Sequence, residues 1–103
     1  MIKLNVLYPQ PTDADQFEKD YAAHVQLLHE KTGIPIDQKP YSVTKYMPGP
    51  DGPAPFYQMF SLPFDSPEAL QAAMSSPGMQ EVAADAHRIS SGGAPTILVG
   101  NEN

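Results

Sequence analysis

The chain has 103 residues, no cysteine and a formal net charge of −6 at pH 7. This length predicts one domain over residues 1–103, with a single core but no deep ligand cleft of its own, so we expect a second copy of the chain to complete any ligand pocket. The acidic balance disfavours nucleic acid and anionic lipid as partners, and the lack of cysteine excludes disulfides, thiolate nucleophiles and sulfur-ligated metals.

The N-terminal residues 1–5 are typical of a strand and lack the apolar run and cleavage site of a signal peptide. No segment of the sequence has the roughly 18 apolar residues that a transmembrane helix needs. We therefore expect a cytoplasmic protein that has no membrane partner.

Residues 2–8 predict a strand, because apolar side chains alternate along them and two prolines follow. The next segment predicts one long amphipathic helix, from about residue 13 to 32. Thr12 or Asp13 supplies an N-cap oxygen, and Gly33 suits the C-terminal cap. We expect the apolar stripe of this helix to dock it on the core, and the stripe consists of Phe17, Tyr21, His24, Val25 and Leu28.

Two more strands are predicted at residues 41–47 and 56–62, where tyrosine, methionine and β-branched residues are concentrated. The segment 48–55 between them contains four prolines and two glycines. This composition excludes helix and sheet and predicts a long mobile turn. The two strands most simply pair as a hairpin across it.

A serine followed by proline predicts a helix start at Ser66 and again at Ser76, so we expect a break and then a second helical piece at about 77–88. The segment 90–93 is a flexible link of ordinary composition. The continuous apolar run at 96–99 predicts a last strand that is covered on both faces. The buried side of the second helical piece is expected to include Met79, Val82, Ala83 and Ala86.

The order of elements predicts an α+β, ferredoxin-like β-α-β-β-α-β fold, in which both helical regions cover one face of a four-stranded antiparallel sheet. The other face then has no cover within the chain. We expect it to carry tyrosine, methionine and phenylalanine, which is too apolar a surface to leave in water. The sequence therefore predicts a homodimer joined sheet to sheet.

Four segments carry a family resemblance. They are the helix pattern Phe17-x-x-x-Tyr21-x-x-His24-Val25-x-Leu27, the run from Ser66 to Pro77, the carboxylate Asp85, and the closing run Ala94-Pro95-Thr96-Ile97-Leu98-Val99-Gly100. In this order and spacing the chain resembles the EthD family of the dimeric α/β-barrel superfamily over nearly its whole length. Gln26 stands where that family commonly has proline, and Ile89 stands where it often has an aromatic residue.

The resemblance implies a dimeric α/β-barrel whose protomers each hold a cavity between sheet and helices. It also implies that the protein binds or transforms a small, mostly apolar organic molecule without a cofactor. The family name derives from degradation of an ether fuel additive, and the superfamily includes cofactor-independent monooxygenases and cyclases, so a cofactor-independent oxidoreductase is one expectation. The alternatives are a non-catalytic ligand carrier or accessory homodimer of a catabolic pathway, and a purely structural dimer.

His24 is the candidate catalytic residue, because an imidazole on an apolar stripe could act as a general base or a hydrogen-bond donor near neutral pH. The alternative interpretation is a core histidine bonded to a backbone carbonyl or to a partner strand, and the sequence leaves both open. Phe17, Tyr21 and Tyr41 are the candidate substrate contacts. For Tyr21 the simpler interpretation is a packing residue whose hydroxyl finds a partner.

No metal site is predicted, because His24 and His29 diverge by about 140° around the helix. His29 and His87 are expected at the surface. Asp85 and His87 diverge by about 200° around a helix, which argues against a carboxylate–imidazole relay between them. We find no glycine-rich phosphate loop, nucleophile elbow or dinucleotide fingerprint, so no cofactor is expected.

Overall fold

The computed structural model describes residues 1–102 and arranges them in four strands and three helices. The strands form one antiparallel sheet in the order β2-β3-β1-β4, with β3 and β1 in the centre. This arrangement confirms the predicted α+β ferredoxin-like fold and its hairpin of β2 and β3. The bounds in chain order are β1 Ile2–Pro9, α1 Ala14–Thr32, β2 Ser42–Lys45, β3 Phe56–Phe64, α2 Pro67–Met74, α3 Pro77–Ile89 and β4 Thr96–Asn101.

Helix α1 has nearly the predicted bounds, because its ends are set by local caps. Of Thr12 and Asp13, it is Asp13 whose side chain accepts a hydrogen bond from the Gln16 N–H, at 3.1 Å. Gly33 has a φ of 76° and donates its N–H to the His29 carbonyl. Glycine adopts this left-handed conformation without a Cβ clash, so the helix ends there.

The predicted break between α2 and α3 is confirmed. Ser66 and Ser76 each accept a hydrogen bond from the backbone N–H three residues further on, at 3.1 and 3.2 Å. A proline occupies the first turn of both helices. Ala83, which we predicted on the buried side of α3, is only half-buried, since it lies about 100° around the helix from its buried neighbour. The buried residues of α3 are Met79, Val82, Ala86 and Ile89.

The core lies between the sheet and the helices α1 and α3. Alternate residues of β1, Leu4, Val6 and Tyr8, point to this side and are buried. In the register of β1 and β3, Leu4 faces Leu62 and Val6 faces Phe60. The helices bury against these strands the side chains of Phe17, Tyr21, Leu28, Met79, Val82, Ala86 and Ile89.

The uncovered face of the sheet is more polar than we predicted. The same alternation places Lys3, Asn5 and Leu7 of β1 on this face, next to Met59 and Ser61 of β3. Ser61 donates a hydrogen bond to the Asn5 side chain at 2.8 Å. The face carries the expected tyrosine and methionine, Tyr46 and Met59, but not the expected phenylalanine, because the pleat directs Phe60 and Leu62 of β3 towards the helices instead.

Strand β4 is exposed along its whole length in the single chain, which corrects the prediction of a strand covered on both faces. It pairs with β1 on one side and forms an edge of the sheet on the other. Ile97, Leu98 and Val99 are 41%, 53% and 56% exposed. Three consecutive apolar residues on an open edge are unusual for a monomer, because such an edge can pair with another chain.

The link before β4 is more constrained than its composition suggested. A Cβ atom on Gly92 would lie 1.8 Å from the carbonyl oxygen of Gln10, so only glycine fits this close approach. Gly93 has a φ of 137°. The Ser91 hydroxyl also accepts a hydrogen bond from the Thr12 N–H at 3.1 Å. The link therefore packs against the connection between β1 and α1.

The segment 48–55 forms the turn of the predicted hairpin. Gly49 and Gly52 exchange two backbone hydrogen bonds of 2.9 and 3.2 Å, so one isolated bridge occurs where we expected none. Gln10 donates its side-chain N–H to the carbonyls of Ala54 and Phe56. The mobility of this segment stays a prediction. Within residues 1–102, no helix combines the length and the apolar character that crossing a membrane requires.

Candidate functional site

The site is built where α1 and α3 meet above the sheet. His24 of α1 is 6% exposed, and its Nδ1 atom lies 2.8 Å from Oδ2 of Asp85 on α3. The other carboxylate oxygen of Asp85 accepts a hydrogen bond from Arg88 Nε, also at 2.8 Å. Both oxygens of Asp85 are thus engaged, one by the buried imidazole and one by a guanidinium at the surface.

Burial and charge act in opposite directions on this pair. Burial lowers the pKa of His24, and the hydrogen bond and negative charge of Asp85 offset only part of that effect. Burial alone would raise the pKa of Asp85, but the hydrogen bonds from His24 and Arg88 bring it below its ordinary value. At neutral pH the pair therefore consists of a neutral imidazole and an ionised carboxylate.

These charge states assign the tautomer of His24. An ionised carboxylate can only accept, so the proton of the neutral ring is on Nδ1 and is donated to Asp85. The lone pair is then on Nε2, and the hydrogen bond that His24 forms within residues 1–102 involves Nδ1 and not this atom. A carboxylate that holds the ring in one tautomer and orientation is the usual support of a histidine that accepts protons.

A small cavity of about 40 Å³ lies between the sheet and the helices, and the His24 ring forms part of its wall. Apart from His24, the only other polar side chain among its lining residues in the described chain is Tyr8. Ile97 of the exposed edge strand β4 also lines it. The cavity thus reaches a part of the fold that the single chain leaves uncovered.

Tyr8 is a candidate site residue that the sequence analysis missed. It is 1% exposed, and burial, with a smaller contribution from the charge of Asp85, raises its pKa above the ordinary value. Its hydroxyl therefore stays protonated at neutral pH and is available as a hydrogen-bond donor. The available signal was the position of Tyr8 on the buried side of β1, where a phenol brings a polar group into an apolar layer.

The residues that line the cavity do not include the three predicted substrate contacts, Phe17, Tyr21 and Tyr41. Phe17 and Tyr21 are buried and pack on Tyr8, with ring centroids 5.3 and 5.8 Å from the Tyr8 ring. The Tyr21 ring is also 5.9 Å from the ring of His24. Its hydroxyl is buried and has no hydrogen-bond partner within residues 1–102, which corrects the expectation that it finds one. Tyr41 is buried near the start of β2. A direct contact of these residues with a ligand stays a prediction.

His29 is buried, at 7% exposure, which corrects its predicted surface position. Its Nδ1 atom lies 3.1 Å from the carbonyl oxygen of Ile34, and its Nε2 atom lies 2.8 Å from the Tyr41 hydroxyl. The carbonyl can only accept, so Nδ1 donates to it and the Tyr41 hydroxyl donates to Nε2. The chain that follows α1 folds back over this ring, and sequence periodicity does not reveal that cover. His87 is exposed, as predicted.

The role of Asp85 was also missed. From the sequence only its neighbour His87 was considered as a partner, whereas its actual partner His24 is 61 residues away. A carboxylate beside the buried stripe of α3 was the available signal, since such a group needs a partner. Residues 1–102 contain no group of three or more histidine, aspartate or glutamate side chains that could hold a metal ion.

Comparison with known proteins identifies the family. The sequence profile described as the EthD domain matches residues 9–93. No curated protein matches the sequence. A solved EthD family protein from Bacillus halodurans is 30% identical, with 100% of this chain and 99% of that chain covered and a TM-score of 0.82. An EthD-like protein from Ralstonia eutropha is 27% identical, with 97% and 89% covered and a TM-score of 0.67.

A further solved structure supports the fold alone. It is a dimeric ferredoxin-like protein of unknown function from Jannaschia sp., 10% identical, with 99% of this chain and 100% of that chain covered and a TM-score of 0.70. The family profile spans most of the chain, and the Bacillus relative matches it along its full length. The chain therefore belongs to the EthD family.

Proposed function

We propose that the protein is a homodimer that binds a small, mostly apolar organic molecule in the cavity beside His24 and exchanges a proton with it, without a cofactor. The observation that carries this proposal is that the half-buried carboxylate of Asp85 lies 2.8 Å from His24 and so orients an imidazole that lines a cavity whose other walls, apart from Tyr8, are apolar. Buried ionisable pairs of this kind are concentrated at functional sites. The proposal also treats the chain as a single domain, as predicted from its length.

The chemistry that suits these residues is removal of a proton next to a carbonyl group. Nε2 of His24 takes the proton, the C–H electron pair moves to the carbonyl oxygen, and Asp85 stabilises the imidazolium that forms. The Tyr8 hydroxyl donates a hydrogen bond to the developing oxyanion. The resulting electron-rich carbon is the species from which a cofactor-independent oxygenase or cyclase would proceed, as in a degradation pathway.

The proposed dimer is supported by the open edge of the sheet. Ile97, Leu98 and Val99 are exposed in the single chain, and Ile97 also lines the cavity. A second copy placed on this side of the molecule would cover these residues and close the cavity. A related ferredoxin-like structure is described as dimeric.

The alternative function is a non-catalytic ligand carrier, which needs the cavity but no proton transfer. The apolar lining favours it equally, since most of the wall has no reactive group. Cyclopentanone in D2O separates the two, because a general base exchanges its α-protons for deuterium and a carrier does not. Binding is followed through the imidazole nitrogen resonances, and exchange is followed through the α-proton signal.

The proposal predicts that cyclopentanone shifts the His24 Nε2 resonance and exchanges faster than in buffer alone. His24→Gln should abolish the exchange, because an amide cannot take up a proton in this pH range. His87→Gln, at an exposed position on α3, is the matched control and should leave exchange unchanged. Binding at His24 without exchange would favour the carrier, and no binding at His24 would refute both.

A further inference from the structure

A second concave surface lies beside the cavity, at the end of the sheet where α1 stops. Its volume is about 460 Å³, compared with about 40 Å³ for the cavity beside His24. We call it the end groove. Its apolar lining is drawn from the segment after α1, from β3, and from the helices α2 and α3, and includes Ile34, Leu62, Phe64, Ala73 and Met79.

Met79 is the side chain that the end groove and the cavity have in common. It lies in the first turn of α3, where its backbone N–H donates to the Ser76 hydroxyl at 3.2 Å. Its backbone is thus held by the cap, whereas its unbranched side chain has three flexible torsions. Because Met79 lines both spaces, it is the side chain whose rotation would bring them together.

The volumes of the two spaces also favour one ligand that occupies both. The cavity of about 40 Å³ is much smaller than the usual small-molecule site of about 300–1,000 Å³, so a ketone beside His24 requires neighbouring side chains to move. The end groove is half open to solvent and has room for an alkyl chain. Lys31 lines its rim, but Glu81 already holds this ammonium group at 2.8 Å, which favours an uncharged occupant.

We propose that the ligand is elongated, with a carbonyl head beside His24 and an unbranched, uncharged alkyl chain that passes Met79 into the end groove. This inference rests on the proposed function and adds the class of molecule: a carbonyl compound with a linear hydrocarbon tail. Met79 is then a specificity-determining residue, because its side chain decides whether a tail can pass.

The test is a series of ketones that differ only in tail length: cyclopentanone and its 2-ethyl, 2-butyl and 2-hexyl derivatives. Each methylene that enters the end groove should lower Kd about fourfold, which corresponds to about 0.8 kcal/mol per buried CH2. The methyl resonance of Ile34, which lines the end groove and not the cavity, should shift with the hexyl compound and not with cyclopentanone, whereas that of Met79, which lines both spaces, should shift with both. The His24 resonance should shift with both.

A pair of variants on α2 controls for nonspecific binding of the tail. Ala73→Phe fills the end groove and should bring the Kd of the hexyl compound back to that of cyclopentanone. Ala72→Phe adds the same ring at the exposed neighbouring position and should leave the whole series unchanged.

The outcomes separate this inference from the proposed function. If cyclopentanone contacts His24 but Kd is the same across the series in the unmodified protein, the elongated ligand is refuted and the proposed function stands. An equal effect of Ala72→Phe and Ala73→Phe on the hexyl compound would also refute it. If no ketone contacts His24, both proposals are refuted.

Discussion

Replacing Asp85 by asparagine removes the charge beside His24 and keeps the shape of the side chain. At present both carboxylate oxygens accept hydrogen bonds, one from His24 Nδ1 and one from Arg88 Nε. An asparagine has one acceptor oxygen and one amide that only donates. The asparagine oxygen can therefore accept a hydrogen bond from only one of the two donors, His24 or Arg88. The other donor then faces the amide N–H, which cannot accept.

The expected loss of stability follows from these contacts. A hydrogen bond to a charged group contributes about 1.5–3 kcal/mol, against about 0.5–1.5 kcal/mol for a neutral one. Asp85 is mostly buried, with 16% of its side chain exposed, so solvent screens the bond to His24 only weakly. We expect Asp85→Asn to lower the free energy of unfolding by about 1–2 kcal/mol at pH 7.

The substitution also changes the titration of His24. Burial lowers its pKa and Asp85 opposes that shift, so loss of the carboxylate should lower the pKa further. Urea unfolding measures the stability, and imidazole nitrogen resonances followed against pH measure the pKa and the tautomer. Asp51→Asn, in the exposed hairpin turn, is the control and should change neither. An unchanged or raised His24 pKa in Asp85→Asn would refute the electrostatic argument.

Three further predictions test the fold and the assembly. Folding lowers the pKa of His24, so below about pH 6.5 the unfolded chain binds a proton that the folded chain does not. The stability measured by urea unfolding should therefore fall as the pH drops below about 6.5. A stability that does not change between about pH 5 and 7 would contradict this. Gly92→Ala should lower the free energy of unfolding by at least about 1–3 kcal/mol, because the new Cβ atom would lie 1.8 Å from a backbone carbonyl oxygen. Gly49→Ala is the control: its Cβ atom would have no atom within 4 Å, so thermal unfolding should be nearly unchanged. Light scattering at micromolar concentration should give about twice the 11.2 kDa of one chain. Leu98→Lys on the open edge should give monomers and Ile36→Lys, at a site 76% exposed, should not; a monomeric unmodified protein would rule out the dimer.

The order and the ends of the elements could be predicted from the sequence, because the signals lie within a few residues of the structure they specify. The Asp13 cap, the left-handed Gly33 and the two serine–proline starts act on their own helices, whatever the rest of the chain does. The family could also be predicted from the order and spacing of short segments along the chain, and the family profile over residues 9–93 confirms it. His24 was found because it interrupts an apolar stripe of its own helix.

Contacts between elements were decided only by the tertiary structure. Asp85 meets His24 because α1 and α3 pack side by side, and Tyr8 reaches the cavity because the register of β1 directs it there. The burial of His29 and the exposure of β4 likewise depend on which segments fold over them. Helix periodicity and capping describe one element at a time, whereas these contacts depend on the docking and register of elements that are distant in sequence.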